Sequence, residues 1–262
     1  MVAASSVIVL ITGANSGIGY ATAQVLAASS PKYHIIIASR TLSKAESALS
    51  SILSSGLPIQ GTLSPLVLDI TSPASIQAAS HVVSATFNNC LDVLINNAGI
   101  LSKSPDLGTR FSETLTTNVV GPALVTDAFA PLLLNARNPY VINVSSLLGS
   151  VERAADKGDV FYQTSPFGLA YRVSKAALNM LTVEQGKALG GKREDGRGGV
   201  KVFAVCPGLV RSNLRGEKEE ERNARGRAGD PEESGRLMLS ILEGERDADV
   251  GKFVYKDGVS AW

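Results

Sequence analysis

Short apolar runs recur along the chain, each followed by a stretch of different periodicity. Val7 to Thr12 (VIVLIT) is β-branched and does not alternate, the pattern of a parallel strand buried on both faces. His34 to Ser39, Leu66 to Leu68, Val93 to Ile95, Tyr140 to Ser145, Lys201 to Cys206 and Gly251 to Tyr255 are further strands. Between them, apolar residues fall at helical spacing: after Gly19, over Ala45 to Leu53, from about Pro73, over Phe111 to Leu134, from Tyr171 to near Leu189, and over Glu232 to Glu243. Strand and helix alternate throughout. That order predicts an α/β fold, a Rossmann-type doubly wound parallel sheet of about seven strands with helices on both faces, as a single domain over 1–262.

The remaining segments lack clean periodicity. Gly56 to Ser64 reads as a loop, and Gly190 to Gly199 as an exposed polar turn. Residues 147 to 169 read as a loop, with a lid insert at 151–168. Residues 214 to 230 are crowded with Arg, Glu, Lys and Gly and read as a mobile, solvated segment within a substrate-loop region, 211–235. Pro122 and Pro131 are expected to bend the long helix or end it early.

Two stretches carry recognisable chemistry. The first strand runs straight into Gly13-Ala14-Asn15-Ser16-Gly17-Ile18-Gly19, and a helix follows. Strand, glycine loop and helix are the context that a phosphate cradle requires. Gly13 turns the chain, Gly17 removes a Cβ where a pyrophosphate approaches backbone N–H groups, and Gly19 lets the helix pack closely. The helix N-terminus offers unpaired N–H groups and partial positive charge. The second strand ends at Ser39-Arg40. An acidic residue at that tip would bind a ribose 2′-OH and select NAD, whereas an arginine accommodates a 2′-phosphate. A solvated surface arginine is the alternative. Asp69 closes the third strand, where it either contacts an adenine or caps the next helix. Asn96-Asn97-Ala98-Gly99 follow the fourth strand, and their amides need partners on neighbouring strands or on a ligand.

The second stretch is Tyr171-Arg172-Val173-Ser174-Lys175. Four residues apart on a helix, Tyr171 and Lys175 share one face. A nearby cation favours the phenolate and would lower the tyrosine pKa towards neutrality. A tyrosine so tuned can exchange a proton with a carbonyl or alcohol oxygen. Asn118, inside the apolar face of the long helix, is a poor mid-helix residue that needs hydrogen bonds.

Composition narrows the picture. The chain has 262 residues with 44% hydrophobic, enough for a large core, and a net charge of +1, which gives no electrostatic reason to bind nucleic acid. No stretch reads as long enough to span a bilayer, so no membrane partner is expected. Cys90 and Cys206 lie far apart and in no metal-ligand spacing, which predicts no metal site, free thiols and a reducing, cytoplasmic location.

Taken in order, these residues resemble the short-chain dehydrogenase/reductase family over nearly the full length. Thr12 to Gly19 resembles its TGxxxGxG loop and Asn96 to Gly99 its NNAG motif. Asn118, Ser146, Tyr171 and Lys175 match its catalytic tetrad, and Pro207-Gly208 its PG turn beside the nicotinamide, with Val210 and with Ser212 where many members have threonine. The long gap between Ser146 and Tyr171 resembles the carbonyl-reductase branch. Ser16 departs from basic-preferring relatives that carry Arg or Lys there, so a preference for NADP(H) rests on Arg40. The resemblance implies reversible, NADPH-dependent reduction of a small ketone or aldehyde. In that chemistry Tyr171 gives the proton, Ser146 orients the oxygen, Lys175 lowers the Tyr171 pKa and holds the nicotinamide ribose, and Asn118 holds a water. The cysteines are expected to play no part. A homodimer or homotetramer is expected from the family, or a monomer if the insert covers the pairing helices. A nucleotide-binding regulator, and an epimerase or dehydratase on the same fold, are the other readings.

Overall fold

A computed structural model describes residues 6–163 and 168–262. The apolar runs form one sheet: β1 (Val7–Thr12), β2 (Tyr33–Ser39), β3 (Thr62–Val67), β4 (Val93–Asn96), β5 (Tyr140–Val144), β6 (Lys201–Val205), β7 (Phe253–Tyr255) and β8 (Gly258–Ser260). The order is β3-β2-β1-β4-β5-β6-β7-β8, parallel except for the last pair. The sheet therefore has eight strands, one more than the sequence pattern gives. β8 is three residues long and forms a short hairpin with β7, too short for a periodicity to show. β3 starts at Thr62, inside the expected loop. It carries Pro65 mid-strand, which is tolerated because β3 is the sheet's edge.

The helices are α1 (Gly17–Ser29), α2 (Leu42–Leu53), α3 (Pro73–Thr86), α4 (Leu107–Leu115), α5 (Gly121–Asn135), α6 (Val151–Ala155), α7 (Leu169–Leu189), α8 (Glu219–Arg222) and α9 (Glu232–Leu242). Alternate strand residues feed two cores. Val9 and Ile11 pack on one face with Leu26 and Met238, from α1 and α9. Ile8 and Leu10 pack on the other with Val83 and Phe129, from α3 and α5. Because both faces are covered, the strands read as unbroken apolar runs.

α4 and α5 form one continuous helix, joined by a π turn at Thr116–Val120. Pro122 follows that turn and Pro131 sits inside α5, and neither ends the helix. At 29 residues this helix is long and apolar enough to cross a bilayer, contrary to the expectation that no stretch is. Val125, Phe129, Leu132 and Leu133 instead fill the core. The segment expected to be solvated and mobile, 214–230, is structured where it matters. It holds α8, and its loop is tied by Arg211–Glu219 and Lys103–Glu221 ion pairs and by an isolated parallel bridge between Val210 and Gly229. Of the expected lid, 151–163 contains α6 and a series of turns, and 164–167 lie outside the described residues.

α9 packs tightly on α1, where a Cβ on Gly235 would stand 2.9 Å from Val25 and 3.1 Å from the Ala21 carbonyl. Overpacking a tight contact costs about 1–3 kcal/mol. Gly235→Val should therefore lower the melting temperature by roughly 2–4 °C per kcal/mol in a chain of this size. Calorimetry checks this, and an unchanged melting temperature would show that the helices can separate freely.

Candidate active site

The strand order turns back between β1 and β4, and the cleft opens beyond the C-terminal ends of those strands. It encloses about 520 Å3 and runs from Arg40 and Asp69 at one end to Tyr171 and Lys175 at the other. The loop from Gly13 to Ile18 forms its floor. Gly13 and Gly17 have φ of 64° and 57°, left-handed conformations that a side chain would strain. Gly19 lies behind the wall, where a Cβ would meet the Asn97 amide at 2.4 Å and the Gly13 carbonyl at 2.8 Å. Ser16 opens α1 without a side-chain cap, and no acidic residue stands in the first turn. The first N–H groups of α1 thus remain available to an anion.

Thr12 fixes this loop. Its hydroxyl accepts from the N–H groups of Asn97 and Ala98, both at 3.0 Å. The Asn97 amide donates to the carbonyls of Thr12 at 2.8 Å and Gly13 at 3.3 Å. Asn96 donates across the sheet to Thr126 and Asn143. Both asparagine side chains therefore pin backbone and strands, and the cleft receives the main chain of Asn97, Ala98 and Gly99. Asp69 accepts from the N–H and hydroxyl of Thr71 at 2.9 and 2.7 Å, which together hold its carboxyl below its ordinary range. Ser72 is the cap of α3, so Asp69 shapes the turn before it and still faces the cleft.

At the far end, Tyr171 and Lys175 project from the first two turns of α7 and are 7% and 4% exposed. The Ser146 hydroxyl stands close enough to the Tyr171 phenol to favour its ionised form, and it accepts from the Leu148 N–H at 3.3 Å. The Lys175 ammonium donates to the Val144 carbonyl at 2.7 Å and lies 5.6 Å from the centre of the Tyr171 ring. Asn118 is fully buried in the π turn. Its amide oxygen accepts from the Ile100 N–H at 2.8 Å, and its amide nitrogen donates to the Ile100 carbonyl and the Ser174 hydroxyl. Both amide N–H donors are thus used, and only the second lone pair of the amide oxygen remains. Pro122 has no N–H, so the Asn118 main-chain carbonyl lacks its ordinary helical donor and is the group that can hold one.

Pro207 and Ser212 line the cleft with Leu214, whereas Gly208 lies on its other side and Val210 is buried in the bridge to Gly229. Two residues near the phenol had no role in the sequence reading: Ser174, which orients Asn118, and Arg215, whose cation favours the phenolate. The cysteines were expected to play no part in the chemistry. Cys206 is buried near Tyr171 and Lys175, and burial raises its thiol and so keeps it neutral.

The electrostatics also correct the sequence reading. Burial, then Cys206, raises the Tyr171 phenol above its ordinary value, and Ser146 and Arg215 offset only part of this. Burial lowers the Lys175 ammonium to about 8. The expected lowering of the tyrosine by Lys175 is not seen: Ser146 and Arg215 are the groups that lower it, and burial dominates.

Comparison with known proteins agrees with this geometry. The family model described as short chain dehydrogenase matches residues 7–223. The short-chain dehydrogenase/reductase tropE of Talaromyces stipitatus is 34% identical, with 98% of each chain covered. The relative eupG of a Phoma species is 34% identical, with 97% of each covered. An NADPH-bound carbonyl reductase from chicken fatty liver superposes with a TM-score of 0.75 at 33% identity, covering 98% of this chain and 99% of that one. The chain belongs to the short-chain dehydrogenase family. As a member it is an oxidoreductase of CH–OH and C=O groups that uses NAD(P), and the glycine cradle, the uncapped α1 and the long cleft fit such a dinucleotide.

In this short-chain dehydrogenase the depressed Lys175 carries a stability signature. Between pH 8 and its ordinary value of 10.5, the unfolded chain holds a Lys175 proton that the folded chain does not, so stability rises with pH. Below about 8 both states are protonated and the cost of burial is constant. Without cofactor, the unfolding free energy of the parent relative to Lys175→Met should increase over that window, by up to about 1.4 kcal/mol per pH unit. A difference that stays constant from pH 8 to 10.5 would mean that Lys175 is not desolvated.

Proposed function

We propose that this dehydrogenase uses NADPH to reduce a ketone or aldehyde of a small organic substrate to an alcohol, reversibly, in the cytoplasm, where its two free cysteines stay reduced. The observation that carries the reading is one cleft with Arg40 at one end and Tyr171 and Lys175 at the other, with Ser146 beside the phenol. The likeness to an NADPH-bound carbonyl reductase supports it. The backbone of residues 13–18 and the N-terminus of α1 would hold the pyrophosphate. Arg40 would take the ribose phosphate, Asp69 the adenine side, Asn97 to Gly99 the adjoining backbone contacts, and Pro207 and Ser212 the nicotinamide end. NADPH, when bound, supplies hydride to the carbonyl carbon.

The chain's own residues handle the proton and the position. Ser146 and Tyr171 bring two hydroxyls close together, so a carbonyl oxygen placed between them would receive two donors. The raised Tyr171 phenol stays protonated at neutral pH and is thereby a ready acid. Lys175, fixed on Val144, places positive charge beside the phenolate left after transfer. A water on the Asn118 carbonyl would return the proton from solvent.

Tyr171→Phe keeps the ring and removes the proton, so turnover should fall by about 10²–10⁴-fold while NADPH binding persists. Arg40→Asp should reverse the cofactor preference, since a carboxylate repels the 2′-phosphate and accepts the 2′-OH of NADH. The exposed Arg40 places the parent preference near the low end of about ten- to a hundred-fold. Measured kcat/KM with both cofactors decides. A parent that uses NADH as well as NADPH, or a Tyr171→Phe enzyme within threefold of the parent, contradicts the reading.

A further inference from the structure

The cleft has a neighbour. A second cavity of about 290 Å3 lies across chain segments 145–147 and 206–208 from it. Ser145 and Pro207 face the cleft, whereas Leu147, Cys206 and Gly208 face the second cavity. Ser146, with its hydroxyl beside the Tyr171 phenol, is the residue between the two. Ser146 is thus the point past which a substrate held on Tyr171 would reach towards this second space.

The walls describe that body. Leu147, Phe161 and Tyr255 supply apolar and aromatic surface. The charged wall residues are Arg153, Lys256 and Asp257, and each of the two cations has a carboxylate near it, Asp159 and Glu233. Lys256 is largely exposed and 4.0 Å from Glu233, a loose ion. Arg153 is different. Its Nε donates to Asp159 at 2.7 Å, and its guanidinium carbon lies 4.5 Å from the centre of the Phe161 ring. Asp159 is itself held by the Phe161 N–H at 2.8 Å, so cation, carboxylate and ring form one fixed unit. The Arg153 side chain is 27% exposed, and among the described residues its two Nη groups donate to none.

This is a guanidinium positioned by its Nε edge, with its remaining donors left over. Such a planar pair of N–H donors matches the two oxygens of a carboxylate. A pair that served only to staple the turn after α6 would satisfy the same Nε bond but would have no bearing on substrate charge.

Building on the carbonyl-reduction reading, we propose that the second cavity is the distal substrate subsite and that Arg153 binds a carboxylate in it. The preferred substrates are then oxo acids, with the carbonyl and the carboxylate on opposite sides of an aromatic or apolar body.

Matched probes test this: 4-acetylbenzoate against acetophenone, which differ only in the carboxylate. The parent should show the higher kcat/KM for the acid, and in Arg153→Met the acid-to-ketone ratio should fall at least tenfold. Arg153→Lys, which keeps the charge and loses the fork, should fall less. Calorimetric titration of 4-acetylbenzoate into the full chain without turnover should show binding by the parent and its loss in Arg153→Met. Equal ratios in parent and Arg153→Met, equal binding by the two, or a parent that prefers acetophenone would each overturn the subsite. The parent's own preference needs no variant to fold. If the parent turns over neither ketone, the carbonyl-reduction reading fails, and the binding titration alone decides whether Arg153 holds a carboxylate.

Discussion

Everything at the reacting end depends on a buried ammonium. Taking Lys175 out of water is costly, and a buried cation persists only where fixed acceptors replace its hydration. The Val144 carbonyl, at the C-terminal end of β5, supplies one such acceptor. That bond ties α7 to the sheet at the point where the phenol must stand. The helix is held there by more than this contact. Ser145 donates to Asn179, Asn179 donates to the Gly149 carbonyl, and Asn143 donates to Thr182 and Gln185. A Cβ on Gly149 would stand 2.6 Å from the Lys175 backbone, so the chain after Ser146 approaches α7 as closely as it can. Polar groups that bury one another in this way leave α7 little freedom to slide, which fixes Tyr171 against Ser146.

The other end of the cleft rests on the opposite logic. There the groups that matter are left unpaired. Thr12 and Asn97 consume the bonds that hold the glycine loop in shape, while the first turn of α1 receives no cap and no acid. One end is thus a buried polar network beside a desolvated cation fixed on Val144, and the other an open set of N–H donors with Arg40 beyond them.

Much of this was legible in the chain. Buried parallel strands announce themselves as unbroken β-branched runs, so seven of the eight were placed within a few residues. The misses have physical causes: β8 is too short for periodicity, and Pro65 concealed the first part of β3, an edge strand. Gly13, Gly17, Tyr171 and Lys175 were readable because their chemistry depends on local spacing. Asn118 was visible as a misfit in a helix, but the π turn that houses it and its bond to Ser174 are tertiary facts. The pKa directions could not be read at all. Spacing shows that Lys175 neighbours Tyr171, whereas only the fold shows that both are buried deeply enough for desolvation to dominate. For the same reason Arg215 and Arg153 carried no sequence signal. They meet the site through loops whose course no periodicity encodes.

The central claim is that Lys175, protonated below about 8, supplies the charge that lets a buried, neutral Tyr171 give up its proton. The direct measurement is the pH profile of kcat/KM for ketone reduction at saturating NADPH, from pH 6 to 10. The account predicts a plateau that falls as pH rises through about 8, and a fall displaced to higher pH in Lys175→Arg, whose guanidinium does not deprotonate in this range. A profile that stays flat to pH 10 in the parent, or one unchanged by Lys175→Arg, would contradict it.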